Sequence, residues 1–212
     1  MKKIIYFGNV FNNENRTISV NVILKNKLKS QFDIILCSDK KYAFLRMIDM
    51  LFVFFKNFLK TNIVLIDVYS TLAFYYALIL SFLCKITKIK YITVLHGGEL
   101  PNRLIQSRAL SKTIFANSVV NISPSLYLYE CFKEKKYKCE HIPNFIDIEK
   151  YTFRSIKEVQ PKLLWVRSLH KIYNPTMAIK VLSVIIKKYP HAELCICLLY
   201  TSDAADDSLR VD

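Results

Sequence analysis

Glycine is nearly missing from this chain, with three in 212 residues. That scarcity excludes the loops that need several glycines at fixed spacing: there is no Gly-x-Gly-x-x-Gly fingerprint, no Walker loop and no Gly-x-Ser-x-Gly elbow. An NAD-dependent enzyme is therefore not expected, and no cofactor is predicted. The six cysteines, at positions 37, 84, 131, 139, 195 and 197, form no regular framework and lack the paired spacing of a zinc site. They read as scattered core thiols, and no metal is expected. The opening Met1-Lys2-Lys3-Ile4-Ile5-Tyr6-Phe7-Gly8 has no hydrophobic signal core, so a reducing cytoplasm is the expected compartment. Long apolar runs are missing too. The longest, Leu72 to Cys84, has 13 residues, against roughly 20 for a membrane span, and reads as a buried helix. Acidic residues are scarce, 17 against 31 Lys and Arg for a net charge of +14. This favours anionic partners: phospholipid headgroups, nucleic acid or phosphate-bearing small molecules. The basic residues are spread over many segments without a nucleic-acid module, so nucleic acid is not expected as the partner.

Apolar residues make up 52% of the chain, ample for a sizeable core. Strands are predicted at 3–8, 32–37, 63–67, 91–95, 118–122 and 139–142. Between them come a polar loop through Asn15 with a helix to about Ser30, an aromatic segment from Tyr42 to Leu59, and helices over about 71–86, 103–116 and 125–135. Short, almost wholly apolar strands alternating with helices are what a parallel sheet covered on both faces requires. The predicted class is α/β, a Rossmann-like parallel-sheet domain over 1–148. A polar connection over 149–160 follows, then the first β-α-β of a second Rossmann-like domain over 161–197, with Pro175 in the first turn of its helix. Residues 198–212 differ in kind. The run Leu198-Leu199-Tyr200-Thr201-Ser202-Asp203-Ala204-Ala205-Asp206 resembles translated sequencing-adapter read-through, and is set aside from the fold.

Two of the three glycines are adjacent, in Val94-Leu95-His96-Gly97-Gly98-Glu99-Leu100-Pro101, directly after a predicted strand. Glycine enters positive φ without penalty and lets a ligand approach the main chain. His96 and Glu99 add two titratable groups beside the doublet, which points to a binding site. A plain turn and a strand-capping histidine are the alternatives. Gly8, ending the first strand, permits a second close approach.

Together with Ser123-Pro124-Ser125, Ile142-Pro143-Asn144-Phe145-Ile146-Asp147 and Trp165-Val166-Arg167, the doublet resembles the family 4 glycosyltransferases of the GT-B fold. The resemblance covers about residues 1–197 and rests on the order and spacing of the pieces. It implies two Rossmann-like domains, the first on the acceptor side. It further implies transfer of a sugar from a nucleotide-sugar donor to a glycan or lipid-linked acceptor, with retention and without an obligatory metal. Asn144 stands at the family's motif asparagine, although Phe145 replaces the usual glycine. Arg167 stands at the arginine that contacts the donor diphosphate, where a guanidinium stabilises departing negative charge. Lys171 is the candidate for the family lysine; it lies one residue early, so either the loop carries an insertion or Tyr173 fills that position. His96 and the backbone of Gly97 and Gly98 would position sugar, and Glu99 would bind an acceptor hydroxyl or cap the next helix. The family's pair of spaced glutamates has no counterpart. The resemblance thus implies an incomplete donor half, and little or no transferase activity from these 212 residues.

The aromatic segment, with Phe44, Phe52, Phe54, Phe55 and Phe58 among Lys40, Lys41, Arg46, Lys56 and Lys60, supports two readings. One is a core helix with solvated ends; the other is peripheral attachment to an anionic membrane surface. The second belongs to a rival function, a noncatalytic basic α/β module that binds a membrane or a protein partner.

Overall fold

A computed structural model of the chain describes residues 1–10, 19–40, 42–145, 148–153, 155, 158–167, 169 and 171–197. The loop residues 11–18, Ile146 and Asp147 of the Ile-Pro-Asn segment, and the separate stretch 198–212 lie outside the described residues. The chain divides into two compact units, Met1–Phe145 and Ile146–Asp212.

The first unit is α/β and Rossmann-like. Its strands are β1 (Lys2–Phe7), β2 (Phe32–Cys37), β3 (Ile63–Val68), β4 (Lys90–Leu95), β5 (Asn121–Ser123) and β6 (Cys139–His141). They form one parallel sheet in the order β2-β1-β3-β4-β5-β6. The helices are α1 (Val20–Leu28), α2 (Ala43–Asn57), α3 (Ala73–Ile86), α4 (Leu100–Gln106), α5 (Arg108–Phe115) and α6 (Leu126–Glu134). Because side chains alternate along a strand, each strand feeds two layers. Ile4, Tyr6 and Ile34 pack under Leu24 and Leu28 of α1. Ile5, Phe7, Val64, Ile66, Val68, Tyr91 and Leu95 join the main core with side chains of α2, α3, α5 and α6.

The segment predicted as one helix over 103–116 is two, α4 and α5, broken at Ser107, whose φ of −121° and ψ of 49° are not helical. Buried polar groups then stitch the layers. Tyr91 donates its hydroxyl to the Ile114 carbonyl at 2.6 Å. Asn121, fully buried, accepts from Thr93 Oγ1 at 2.6 Å and donates Nδ2 to the carbonyls of Phe115 and Lys138 at 3.1 and 2.7 Å. Ser125 caps α6 by accepting from the Leu128 N–H.

Neither α2 nor α3 is simply a core helix. In α2 only Met50 and Phe54 are buried, while Phe44, Ile48, Phe52 and Phe55 form an exposed stripe at helical spacing. In α3, Phe74, Ala77, Leu80 and Cys84 are buried, yet Tyr75, Ile79, Phe82 and Ile86 form a second exposed stripe. The reason is composition: a helix apolar all round must cover two faces, and the sheet covers one. No described helix is long and apolar enough to cross a membrane.

The second unit is described as β7 (Lys162–Val166), α7 (Pro175–Ile185) and β8 (Glu193–Cys197), the strands paired in parallel from Lys162↔Glu193 to Val166↔Cys197. Asn174 precedes Pro175 in the left-handed region at φ 49°, and its Oδ1 accepts from Thr176 Oγ1 at 2.9 Å.

The thiols sort by this architecture. Burial pushes the Cys84 thiol up to about 12. Burial, reinforced by the Asp49 carboxylate 3.4 Å away, raises Cys37 as well. Both stay protonated in the fold, whereas an unfolded thiol ionises near about 8.5. The unfolded state therefore sheds these protons first, so stability is full below about pH 8.5 and falls as pH rises toward 12, by about 1.4 kcal/mol per unit for each group. Urea midpoints at pH 8, 9.5 and 11 should fall in that order. At pH 7.5, maleimide should label the exposed Cys195 and Cys197 quickly and leave Cys37 and Cys84 unmodified until the chain unfolds.

Candidate functional site

Open parallel sheets gather their loops at the carboxyl ends of the strands, where ligands bind. Here β1, β3 and β4 deliver Gly8, Asp67 and His96 to that edge. The parallel register sets Val68 beside Leu95, and the His96 N–H donates to the Val68 carbonyl at 2.9 Å. This carries the His96 ring over the end of β3, where Nε2 lies 3.0 Å from Asp67 Oδ1. The same oxygen accepts the Tyr6 hydroxyl at 2.9 Å. Tyr69 stacks on the imidazole, centroids 4.7 Å apart and planes 14° apart.

Asp67 is 7% exposed and His96 21%, so a nearly buried carboxylate holds a partly open imidazole. Burial, and next the Asp67 carboxylate, keep the Tyr6 phenol far above its ordinary range, so Tyr6 acts as a permanent donor. Nε2 is engaged by Asp67, which leaves Nδ1 as the ring atom that can meet a ligand hydroxyl, accepting from it in the neutral ring. The tautomer follows from the hydrogen bond to the carboxylate.

The three glycines differ in what they do. A Cβ on Gly8 would collide with the Asp67 carboxylate and press on Asn21 Nδ2 at 3.1 Å, so glycine at 8 makes room for the carboxylate. Gly97 has φ +84°, the left-handed region where glycine alone is unstrained. A Cβ on Gly98 would meet nothing within 4 Å, so that position is open and not conformationally demanding. Gly97→Ala should therefore cost about 1–2 kcal/mol of stability, while Gly98→Ala should stay within about 0.5 kcal/mol. Paired urea titrations would measure the contrast.

Glu99 occupies the residue before α4, makes no side-chain cap bond to the helix, and accepts from Asn102 Nδ2 at 2.5 Å on the exposed surface. Arg103 of α4 donates Nε to the Ser70 carbonyl at 2.7 Å and lies over the Phe74 ring at 5.3 Å. It ties the loop after β3 to the helix after the doublet, framing the His96 side of the site. Ser123 and Ser125 bond to each other's loop atoms and to α6, which accounts for them locally. Asn144 is exposed near the end of the first unit. Arg167 and Lys171 belong to the second unit, where the Arg167 guanidinium lies 4.9 Å over the Tyr173 ring and Lys171 opens a short 3-10 turn.

The fold thus brings together Gly8, His96 and Gly97, with Gly98 open beside them. The sequence reading missed Asp67, Tyr6 and Tyr69. Their one visible signal was a carboxylate within the otherwise apolar strand Ile63-Val64-Leu65-Ile66-Asp67-Val68. Among the described residues no three His, Cys, Asp or Glu side chains are grouped as metal ligands. Comparisons with protein-family models and with curated proteins find no match for this chain.

Proposed function

We propose that the chain is the acceptor-side domain, with the start of the donor-side domain, of a retaining glycosyltransferase resembling family 4 of the GT-B fold. Its reaction moves a sugar from a nucleotide-sugar donor to a glycan or lipid-linked acceptor. The observation that supports this best is the Asp67–His96 pair beside Gly97 at the carboxyl ends of β3 and β4. An imidazole fixed at Nε2 by Asp67, next to open backbone at Gly98, suits a neutral polyhydroxylated ring, which needs directional acceptors and donors more than charge.

In this reading Asp67 and Tyr6 fix His96, His96 orients a sugar hydroxyl, Gly8 leaves room for the Asp67 carboxylate, and Gly97 and Gly98 admit the sugar close to the main chain. Arg167, lying over the Tyr173 ring, neutralises donor phosphate within its own unit, with Lys171 as a further polar contact. The departing phosphate deprotonates the acceptor, so His96 serves as a positioning group. Saturation-transfer NMR with uridine and guanosine diphosphate hexoses and short glycans tests this. Sugar-ring signals should be seen with the native chain and vanish in His96→Ala with the fold retained. Absence of sugar-ring signals across the whole panel would overturn the reading.

A second reading, a membrane-surface module, is favoured by the two apolar stripes. Phe44, Phe52, Phe55 and Phe82 are 75%, 63%, 57% and 53% exposed. Exposed Lys40, Lys56, Lys60, Lys85 and Lys88 lie on or beside the same helices. Pairing two copies through this face would bring like charges together, whereas an anionic bilayer takes both the aromatic rings and the lysines. Phosphatidylcholine vesicles with 30% phosphatidylglycerol should sediment the native chain, and Phe52→Ser with Phe55→Ser should release it. Equal sedimentation of both proteins would remove this reading.

A further inference from the structure

A second concave site lies away from His96, toward the end of the sheet where β5 and β6 begin. The sequence at the end of α6, Lys133-Glu134-Lys135-Lys136-Tyr137-Lys138, closes the helix by a left-handed turn. Lys136 takes φ 61°, its N–H reaches the Lys133 carbonyl at 2.9 Å, and the Tyr137 N–H reaches the Phe132 carbonyl at 3.0 Å. This turn folds Lys135, Lys136 and Lys138 toward α5, whose Arg108 and Lys112 are one helical turn apart. The five cations line a cavity of about 610 Å³. Ile105 and Tyr137 supply apolar surface in it over the buried Leu104 and Phe115, and among the described residues no carboxylate lines it.

The walls are fixed from beneath. Buried Asn121 holds the Phe115 and Lys138 carbonyls, one from each side of the groove, on its single amide nitrogen. Phe115 is further locked by edge contacts with Phe132 and Tyr137 at 4.8 and 5.8 Å. Among the described residues none of the five cations forms an ion pair. Like charges gathered on a rigid frame repel, so the free protein bears a cost that a bound anion removes. The volume falls within the range of about 300–1,000 Å³ typical of small-molecule sites. Arginine and several lysines around one concavity match a multiply charged phosphate, and the apolar walls accept a ring or chain attached to it.

We propose that this groove binds an organic phosphate, carrying its charged group among Arg108, Lys112, Lys135, Lys136 and Lys138 and its apolar part against Ile105 and Tyr137. The site is separate from the strand-end site and does not depend on how that site functions. A soluble metabolite and a lipid headgroup share this chemistry, and the test separates them.

Calorimetry of the full chain with pyrophosphate, and with monomeric dihexanoyl phosphatidic acid below its micelle concentration, would measure binding. Saturable one-to-one binding is expected for at least one ligand. It should weaken at least tenfold in Lys112→Glu with Lys136→Glu, and to a lesser degree in the matching glutamine pair. Lys25→Glu with Lys29→Glu, at the C-terminal end of α1, makes the same change in net charge and should alter binding less than twofold. Circular dichroism and thermal midpoints confirm that each variant is folded, and amide shifts at Ala116 and Tyr137 should localise the ligand. Tighter binding of pyrophosphate supports a soluble phosphate, and tighter binding of the lipid supports a headgroup. Equal weakening by the groove and α1 pairs, or saturable binding of neither ligand while a single-stranded oligonucleotide binds, would overturn the proposal.

Discussion

Asp67→Ala is expected to weaken both the fold and the candidate site. The carboxylate accepts from two side chains on one oxygen, Tyr6 at 2.9 Å and His96 at 3.0 Å, and Tyr6 is 2% exposed. Removing it strands a buried phenolic donor, which costs about 1–3 kcal/mol. Imidazole orientation is lost as well, since stacking on Tyr69 restrains the plane of the ring but not its rotation within that plane. Stability by urea titration should fall by about 2–4 kcal/mol, and sugar-ring signals in saturation-transfer NMR should drop at least tenfold. Asp67→Asn separates the two effects. Its amide oxygen can still accept from Tyr6, so most stability should return, while the charge that favours an Nε2–H on His96 does not. Recovery of stability without recovery of binding would identify Asp67 as a positioning residue for His96. Full recovery of both would show that shape alone matters.

Phe115→Ala should carry a larger stability cost than Asp67→Ala. The ring is 1% exposed and meets Phe132 edge-on at 4.8 Å and Tyr137 at 5.8 Å. Truncating a buried phenylalanine typically costs about 3–5 kcal/mol, combining lost transfer energy with the void left behind. Collapse is difficult here because Asn121 pins the Phe115 carbonyl and Tyr91 pins that of Ile114. The variant should unfold at a clearly lower urea concentration than the native chain. Phe115→Leu, which retains most of the volume, should recover more than half of the loss. Phe55→Ala, on the exposed stripe of α2, should cost little in the same assay, since its ring is largely in solvent already.

Much of the fold was legible before any coordinates. Phe32–Cys37 matches its predicted strand residue for residue, because it is a short β-prone run between turn-forming or polar residues. The helix over 103–116 was misread because its amphipathic pattern continues through Ser107, where the backbone turns. Helix α3 was read as buried from its apolar content alone, and for α2 the sequence left a core helix and a surface helix both open. Content states how much surface wants cover; only packing shows that one side of each helix has found it.

At the candidate site, His96 and Gly97 were visible because a glycine doublet after a strand is a rare local event in this chain. Gly98 was singled out with them, although the structure places no conformational demand on it. Asp67 was invisible for the opposite reason: a single carboxylate ending a strand has many ordinary explanations, and its partner is 29 residues away.

The sequence by itself determined the class of this protein, a parallel α/β sheet, because alternation of short apolar strands with helical segments is a local property of neighbouring residues. It also determined an excess of positive charge, without saying where that charge would gather. Tertiary structure decided the rest. The register of β3 against β4 set His96 over Asp67, and the turn after α6 folded three lysines toward the arginine and lysine of α5. Both are long-range events, fixed by which strands pair and which buried groups must find hydrogen bonds, and no local pattern of residues encodes them.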